Sequence, residues 1–256
     1  ILGGLRRAGL AADQFEVVEP FAATRERLGA EQGVQAQAAA GAGLQRCQIV
    51  VWAVKPQVFW EAAAATRAFL APDALHLSVA AGIPSDSIAR WLGSERIVRA
   101  MPNTPALVGQ GMTGLYAGPA VTAADKQQVE SVLGPTGELM WLEHEAQLDA
   151  VTALSGSGPA YVFYFIEAMC KAGVEMGLSY PQARHLAVAT FTGASAQARS
   201  AEDSLEVMRQ RVTSKGGTTH AAITSMENDG MQPAFIRALW AAQRRAGELG
   251  DEFGRD

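Results

Sequence analysis

The chain is poor in cysteine, in clustered cations and in long apolar runs. Its two cysteines, Cys47 and Cys170, are too few and too far apart for a disulfide framework or a metal quartet, so both read as reduced, buried thiols of a cytoplasmic protein. Lys and Arg number 21 against 26 Asp and Glu, a formal net charge of −5, and the cations are not grouped. A phosphate-backbone binder needs grouped cations, so nucleic acid is excluded as a partner. The longest strongly apolar run, IVVWAV at 49–54, stops at Lys55, far short of the roughly 20 residues a membrane span requires. No targeting segment is visible. His76, His144, His185 and His220 show no metal-ligand spacing, and no G-x-S-x-G nucleophile motif occurs. With neither metal nor nucleophile in view, the chemistry is expected to be lent by a cofactor, and hydride transfer suits the architecture the strands and helices imply.

What is present is a foldable chain: 256 residues, 48% hydrophobic and 18% charged, room for one large domain or two modest ones. It opens on ILGGLRRAGL, which reads as the second half of a helix with a preceding segment expected upstream. From Phe15 short β-rich runs alternate with Ala-rich helical ones. FEVVE (15–19), IVVWAV (49–54, buried on both faces), LHLSVA (75–80) and RIVRAM (96–101) read as strands, and AATRERLGAEQ (22–32) and VFWEAAAATRAFL as helices. Such alternation means crossover units and a parallel sheet covered on both sides, an α/β doubly wound nucleotide-binding plan. GMTGLYA and ELMWL add edge strands around the helical AADKQQVESVL, which Gly134-Pro135 breaks. AQAAAGAG (36–43) reads as a loop or a weak helix. Beyond about Leu142 the chain is helical to its end, with Ser157 and Pro159 opening one helix, Gly177 closing it and Pro181 opening the next. The domains are therefore placed at 1–144 and 145–256. The helix over 160–176 is apolar around much of its circumference and reads as an oligomer core.

Three regions carry candidate chemistry, the first of them made of three short stretches. AVKPQ (53–57) ends a buried strand in Lys55 and Pro56, where open α/β sheets bind their ligands, although a surface Lys before a helix-opening Pro explains the same residues. SVAAG (78–82) repeats the position on the next strand with residues small enough for a flat ring to approach, and MPNTP (101–105) holds Asn103 and Thr104 between two prolines. SGSGPAY (155–161) is either an anion-favouring helix start or a close packing of glycines. TSKGGTTH (213–220) places Gly216 and Gly217 between Lys215 and Thr218-Thr219, a nest of N–H groups suited to a carboxylate; a plain Thr cap is the alternative.

At these residues the sequence resembles pyrroline-5-carboxylate reductases over essentially its whole length. The resemblance rests on AVKPQ, on RAMPNTP followed by GQGMTGLYA, and above all on DAVTALSGSGPAYVFYFIEAM (149–169) with VTSKGGTTHAAI (212–223). It implies reduction of 1-pyrroline-5-carboxylate to L-proline with NADPH or NADH. It also implies an N-terminal Rossmann-type domain followed by an all-helical domain that forms a homodimer, often assembled further. Carried over by position, cofactor contacts fall on Ala53, Val54, Lys55 and Pro56, on Val79, Ala80 and Ala81, on Asn103, and on Glu19 at the ribose. Substrate contacts fall on Ser214, Gly216, Gly217, Thr218 and Thr219 and on Glu145, with Thr219 bonding the ring nitrogen as the catalytic contact. A protonated iminium is already electrophilic, so no strong protein acid is required.

Three departures stand out. The first strand and its Gly-rich turn are absent from the sequence, Ala40 stands where many relatives carry Asn, and Glu19 suits a free 2′-hydroxyl better than a 2′-phosphate unless Arg25 compensates. The rival readings are another imine or β-hydroxyacid reductase, for which the helix from Pro159 offers only Glu167 and Lys171, and a non-catalytic dimeric scaffold.

Overall fold

Residues 1–254 are described in a computed structural model of the chain. They divide into two compact units, one made of Ile1–Gly158 with the chain from Ala241 onward, the other of Pro159–Trp240.

In the first unit α1 (Leu2–Arg7) precedes β1 (Val17–Val18), α2 (Ala22–Gln32) and β2 (Ala36–Gln37). β1 and β2 form a parallel pair. The run 36–43, read as a loop or a weak helix, begins with the two strand residues Ala36–Gln37, continues as irregular chain over 38–41 and enters a 3-10 helix at Ala42. Alanine and glutamine have little preference for strands, and the pairing with Val17–Val18 imposes what the local sequence does not signal. Gly33, in the left-handed region at φ 67°, closes α2 and turns the chain into β2.

The main sheet has the order β3-β4-β5-β6-β7: β3 (Ile49–Trp52), β4 (Leu75–Ser78), β5 (Ile97–Met101), β6 (Gly111–Ala117) and β7 (Gly137–Trp141). β3, β4 and β5 are parallel, joined by α3 (Phe59–Thr66) and α4 (Ser85–Leu92). β6 runs antiparallel to β5, because the nine residues between Met101 and Gly111 leave no room for a crossover helix, and α5 (Ala123–Leu133) then carries the chain to β7, parallel to β6. α6 (Gln147–Val151) follows.

Alternation along the strands sorts side chains into two cores. Leu75, Leu77, Val98, Ala100 and Leu115 pack with Val129 and Leu133 of α5; Trp52, Phe59, Ile83, Ile88, Trp91 and Ile97 pack together on α3 and α4. The rings of Trp52 and Phe59 lie 5.2 Å apart and those of Phe59 and Trp91 5.7 Å apart. A side chain as fully buried as Phe59 contributes about 2–3 kcal/mol. β3 differs from the expectation of burial on both faces: of its residues only Trp52 is buried, because β3 is an edge of this five-stranded sheet.

His76 in β4 is buried and accepts a hydrogen bond at Nδ1 from Trp52 Nε1–H at 3.3 Å. Burial, with the Arg96 cation adding to it, pushes the imidazole from 6.5 down to about 4. Between these values the unfolded chain binds a proton that the fold does not. Stability is therefore complete above pH 6.5 and declines as the pH falls toward 4, by about 3 kcal/mol in all. Chemical denaturation at pH 5–6.5 should show this slope in the wild type and a much smaller one in His76→Leu; an unchanged slope contradicts the assignment.

The second unit contains most of α7 (Gly158–Glu175), then α8 (Tyr180–Ser200), α9 (Leu205–Arg211), α10 (Thr218–Asn228) and the start of α11 (Met231–Phe253). Gly177, at φ 97°, follows α7. Ser179 caps α8 in a capping box with Gln182, with Pro181 in the first turn. Ahead of α7, Thr152–Gly156 form a π-helical turn closed by Ser157 N–H onto the Thr152 carbonyl at 2.8 Å.

Candidate active site

The parallel strands β3 and β4 place the first candidate group. Trp52 pairs with Ser78, so Ala53–Pro56 and Val79–Ala81 leave the carboxyl edge of the sheet side by side. Val79 N–H donates to the Trp52 carbonyl at 3.1 Å, and Ala80 N–H to Ser78 Oγ at 3.3 Å. Lys55 is extended and exposed ahead of a short turn that Pro56 opens, Ala53 is exposed, Val54, Val79 and Ala81 are half-buried and Ala80 is buried. The small residues leave a low surface at the strand ends, and Lys55 supplies a cation beside it. Carboxyl ends of parallel strands are where open α/β sheets bind their ligands.

Glu19 follows β1. Its Oε1 accepts the Phe21 N–H at 2.9 Å, and Arg25 Nη1 donates to the carbonyls of Glu19 and Pro20 at 2.8 and 2.7 Å. The cation that the sequence offered as compensation is thus held against the same turn.

Asn103 is engaged from both ends of its amide: Oδ1 accepts the Met112 N–H at 2.9 Å and Nδ2 donates to Ser155 Oγ at 3.1 Å. It fastens the MPNTP turn to β6 and to the π-turn of the SGSG stretch. Gly156 belongs to the same junction, since a Cβ there would meet Met101 Cε at 2.4 Å. This favours the packing reading of that glycine.

Glu145 lies in another cluster. Its carboxylate pairs with Arg99 Nη1 at 2.7 Å and accepts Ser85 N–H at 2.6 Å and Ser85 Oγ–H at 2.7 Å. Asp149 is close by; burial lifts its carboxyl above the usual range, with Arg99 opposing and Glu145 adding to the rise. Sequence reasoning missed Arg99, Ser85 and Ser155. The signal for Arg99 was a lone cation inside the apolar strand IVRAM, which requires a counter-charge when buried.

The TSKGGTTH stretch forms a tight turn at the start of α10. Gly217 N–H donates to the Ser214 carbonyl at 3.0 Å, and Gly216, the third residue of the turn, has φ 75°, the pattern of a type II turn. A Cβ on Gly217 would come within 2.6 Å of Ser214 Oγ, so a side chain at 217 would displace that hydroxyl. No side chain caps α10, as none caps α1, α2, α3 or α6, whereas Thr122, Ser179 and Ser204 cap α5, α8 and α9. The first N–H groups of α10, at Thr218 and Thr219, thus have no side-chain cap, and such a helix start favours an anion. Among the described residues no group of three His, Cys, Asp or Glu is arranged to hold a metal.

Residues 145–249 match the family model for pyrroline-5-carboxylate reductase dimerisation. A pyrroline-5-carboxylate reductase of Pseudomonas aeruginosa is 42% identical over 256 residues, 100% of this chain and 94% of that protein. The chain belongs to the pyrroline-5-carboxylate reductase family. The Haemophilus influenzae pyrroline-5-carboxylate reductase is 35% identical over 251 residues, covering 97% of this chain and 92% of its own. Among solved structures, a Coxiella burnetii pyrroline-5-carboxylate reductase superposes with a TM-score of 0.88 at 36% identity, over 97% of this chain and 93% of that one. A Plasmodium falciparum pyrroline carboxylate reductase solved with NADP bound gives 0.86 at 27% identity, over 96% and 92%. Pyrroline-5-carboxylate reductases are oxidoreductases that reduce pyrroline-5-carboxylate to proline with NAD(P)H. The Rossmann-type sheet and the helical region of this chain are the two parts of that family's fold.

Proposed function

We propose that this chain reduces 1-pyrroline-5-carboxylate to L-proline with NADPH, residues 1–144 serving the cofactor and 145–256 the substrate and the dimer contact. The uncapped start of α10 carries the substrate reading. Ser214, Gly216 and Gly217 shape a turn whose end presents the N–H groups of Thr218 and Thr219 to the substrate carboxylate, and the Thr219 hydroxyl bonds the ring nitrogen. When bound, the reduced nicotinamide supplies the hydride. Ala53, Val54, Pro56 and Val79–Ala81 give its ring a low apolar surface with the Lys55 cation beside it, Glu19 faces the adenosine ribose, and Asn103 holds the MPNTP turn in place. No residue is required to deliver a proton to an iminium nitrogen that already carries one, so this chain's contribution is orientation and charge stabilisation.

The helical unit supports a homodimer. Its buried residues are Cys170, Gly173, Ala183 and Ala187 alone, while Phe163, Tyr164, Met176 and Trp240 are 65%, 70%, 80% and 58% exposed. Helices this apolar and this bare find their core against a second copy. A larger assembly and a cytoplasmic location complete the reading; no helix among the described residues is long and apolar enough to cross a membrane. The β-hydroxyacid reductase alternative gains nothing from α7, whose Lys171 pairs with Glu167 at 2.8 Å on an exposed face.

The cofactor assignment has its own test. Glu19→Ser should raise the ratio of kcat/KM with NADPH to that with NADH severalfold, because a carboxylate beside the ribose repels a 2′-phosphate. A ratio that stays flat removes Glu19 from the ribose.

A further inference from the structure

Glu145 was read from the sequence as a substrate contact, but its carboxylate is engaged elsewhere. Its three bonds, to Arg99 at 2.7 Å and to Ser85 at 2.6 and 2.7 Å, occupy both oxygens. Arg99 stands in the middle of β5 with its side chain 11% exposed. Ser85 is the first residue of α4, so its N–H is one of the donors a helix cannot satisfy internally, and a carboxylate there also meets the positive end of the helix. Between β4 and Ser85 lie only Val79–Pro84, the turn that carries Val79, Ala80 and Ala81. This turn is fixed at its start by the Val79 bond to Trp52 and pivots at Gly82, where φ is 82° and an added Cβ would lie 3.2 Å from Leu249. Its other end is held by Glu145.

We propose that Glu145 is a positioning residue for the cofactor, clamping the β4–α4 turn by tying Ser85 to Arg99. The inference rests on the reading that Val79–Ala81 face the nicotinamide. Removing the carboxylate leaves Arg99 short of a partner and the Ser85 N–H uncapped, and the turn loses its anchor on the side nearest α4. Gln at 145 still offers an oxygen to Ser85 but no charge to Arg99, and Ala at 85 removes one bond of the three.

The test separates the two roles by titrating NADPH into the enzyme without substrate, calorimetrically, and then measuring KM for pyrroline-5-carboxylate at saturating NADPH. Glu145→Ala should weaken NADPH binding on the order of tenfold, with Glu145→Gln and Ser85→Ala intermediate, and should leave the substrate KM unchanged. Unchanged NADPH affinity in all three variants overturns the proposal, and a raised substrate KM with unchanged NADPH affinity returns Glu145 to the substrate. Should Glu145→Ala not fold, the other two variants carry the comparison. A wild-type enzyme that binds no NADPH would instead overturn the cofactor reading on which the proposal stands.

Discussion

Thr219→Ala should lower kcat/KM for pyrroline-5-carboxylate by about one to two orders of magnitude while leaving the fold and NADPH binding intact. A hydrogen bond to a charged partner is worth about 1.5–3 kcal/mol, and the ring nitrogen carries its charge in the ground state. The side chain is half-buried in the first turn of α10, and alanine is a good helix former, so the substitution removes a hydroxyl and does not disturb the helix. Part of the loss should appear in KM, because substrate and transition state both use the bond. Thr218→Ala is the internal comparison: in the proposed site Thr218 would contribute its N–H, which alanine retains, so its effect should be much smaller. Equal effects at the two positions, or none at Thr219, would remove the Thr219 hydroxyl from the mechanism.

Phe163→Glu should convert the enzyme to single copies and abolish most of its activity. Phe163 is 65% exposed in one copy, on a helix whose buried residues in the second unit are Cys170 and Gly173. If a second chain covers that surface, the new carboxylate must be buried or the interface must open, and burying an unpaired charge costs several kcal/mol. Sedimentation should then report a mass near 27.0 kDa for the variant and a multiple of it for the wild type. A variant that sediments with the wild type and keeps its activity would show that this face of α7 is not the covered one.

The sequence was most legible where signals are local. AATRERLGAEQ and AADKQQVESVL form helices over the same residues that their patterns mark, and GMTGLYA is a strand from end to end. β2 was not legible, since nothing in Ala36–Gln37 favours a strand until Val17–Val18 lies beside it. The edge position of β3 was likewise a matter of neighbours, because an apolar run is the same whether one strand or two flank it. For the site the division is similar. The Ser214–Gly217 turn and the start of α10 lie within one short stretch, and the paired glycines announced them. The partners of Glu145 lie 46 and 60 residues away, and those of Asn103 include one 52 away, so the sequence marked these residues as important without revealing what they touch. Helical periodicity showed that α7 is apolar on several sides; only the exposure of Phe163 and Tyr164 shows how little of that surface one copy covers.

The most direct test of the reductase reading follows NADPH oxidation at 340 nm with pyrroline-5-carboxylate while proline is quantified chromatographically in the same reaction. The account predicts one L-proline formed for each NADPH consumed, with turnover strongly reduced in Thr219→Ala. NADPH consumption without proline, or no turnover by an enzyme that binds NADPH and assembles, would contradict it.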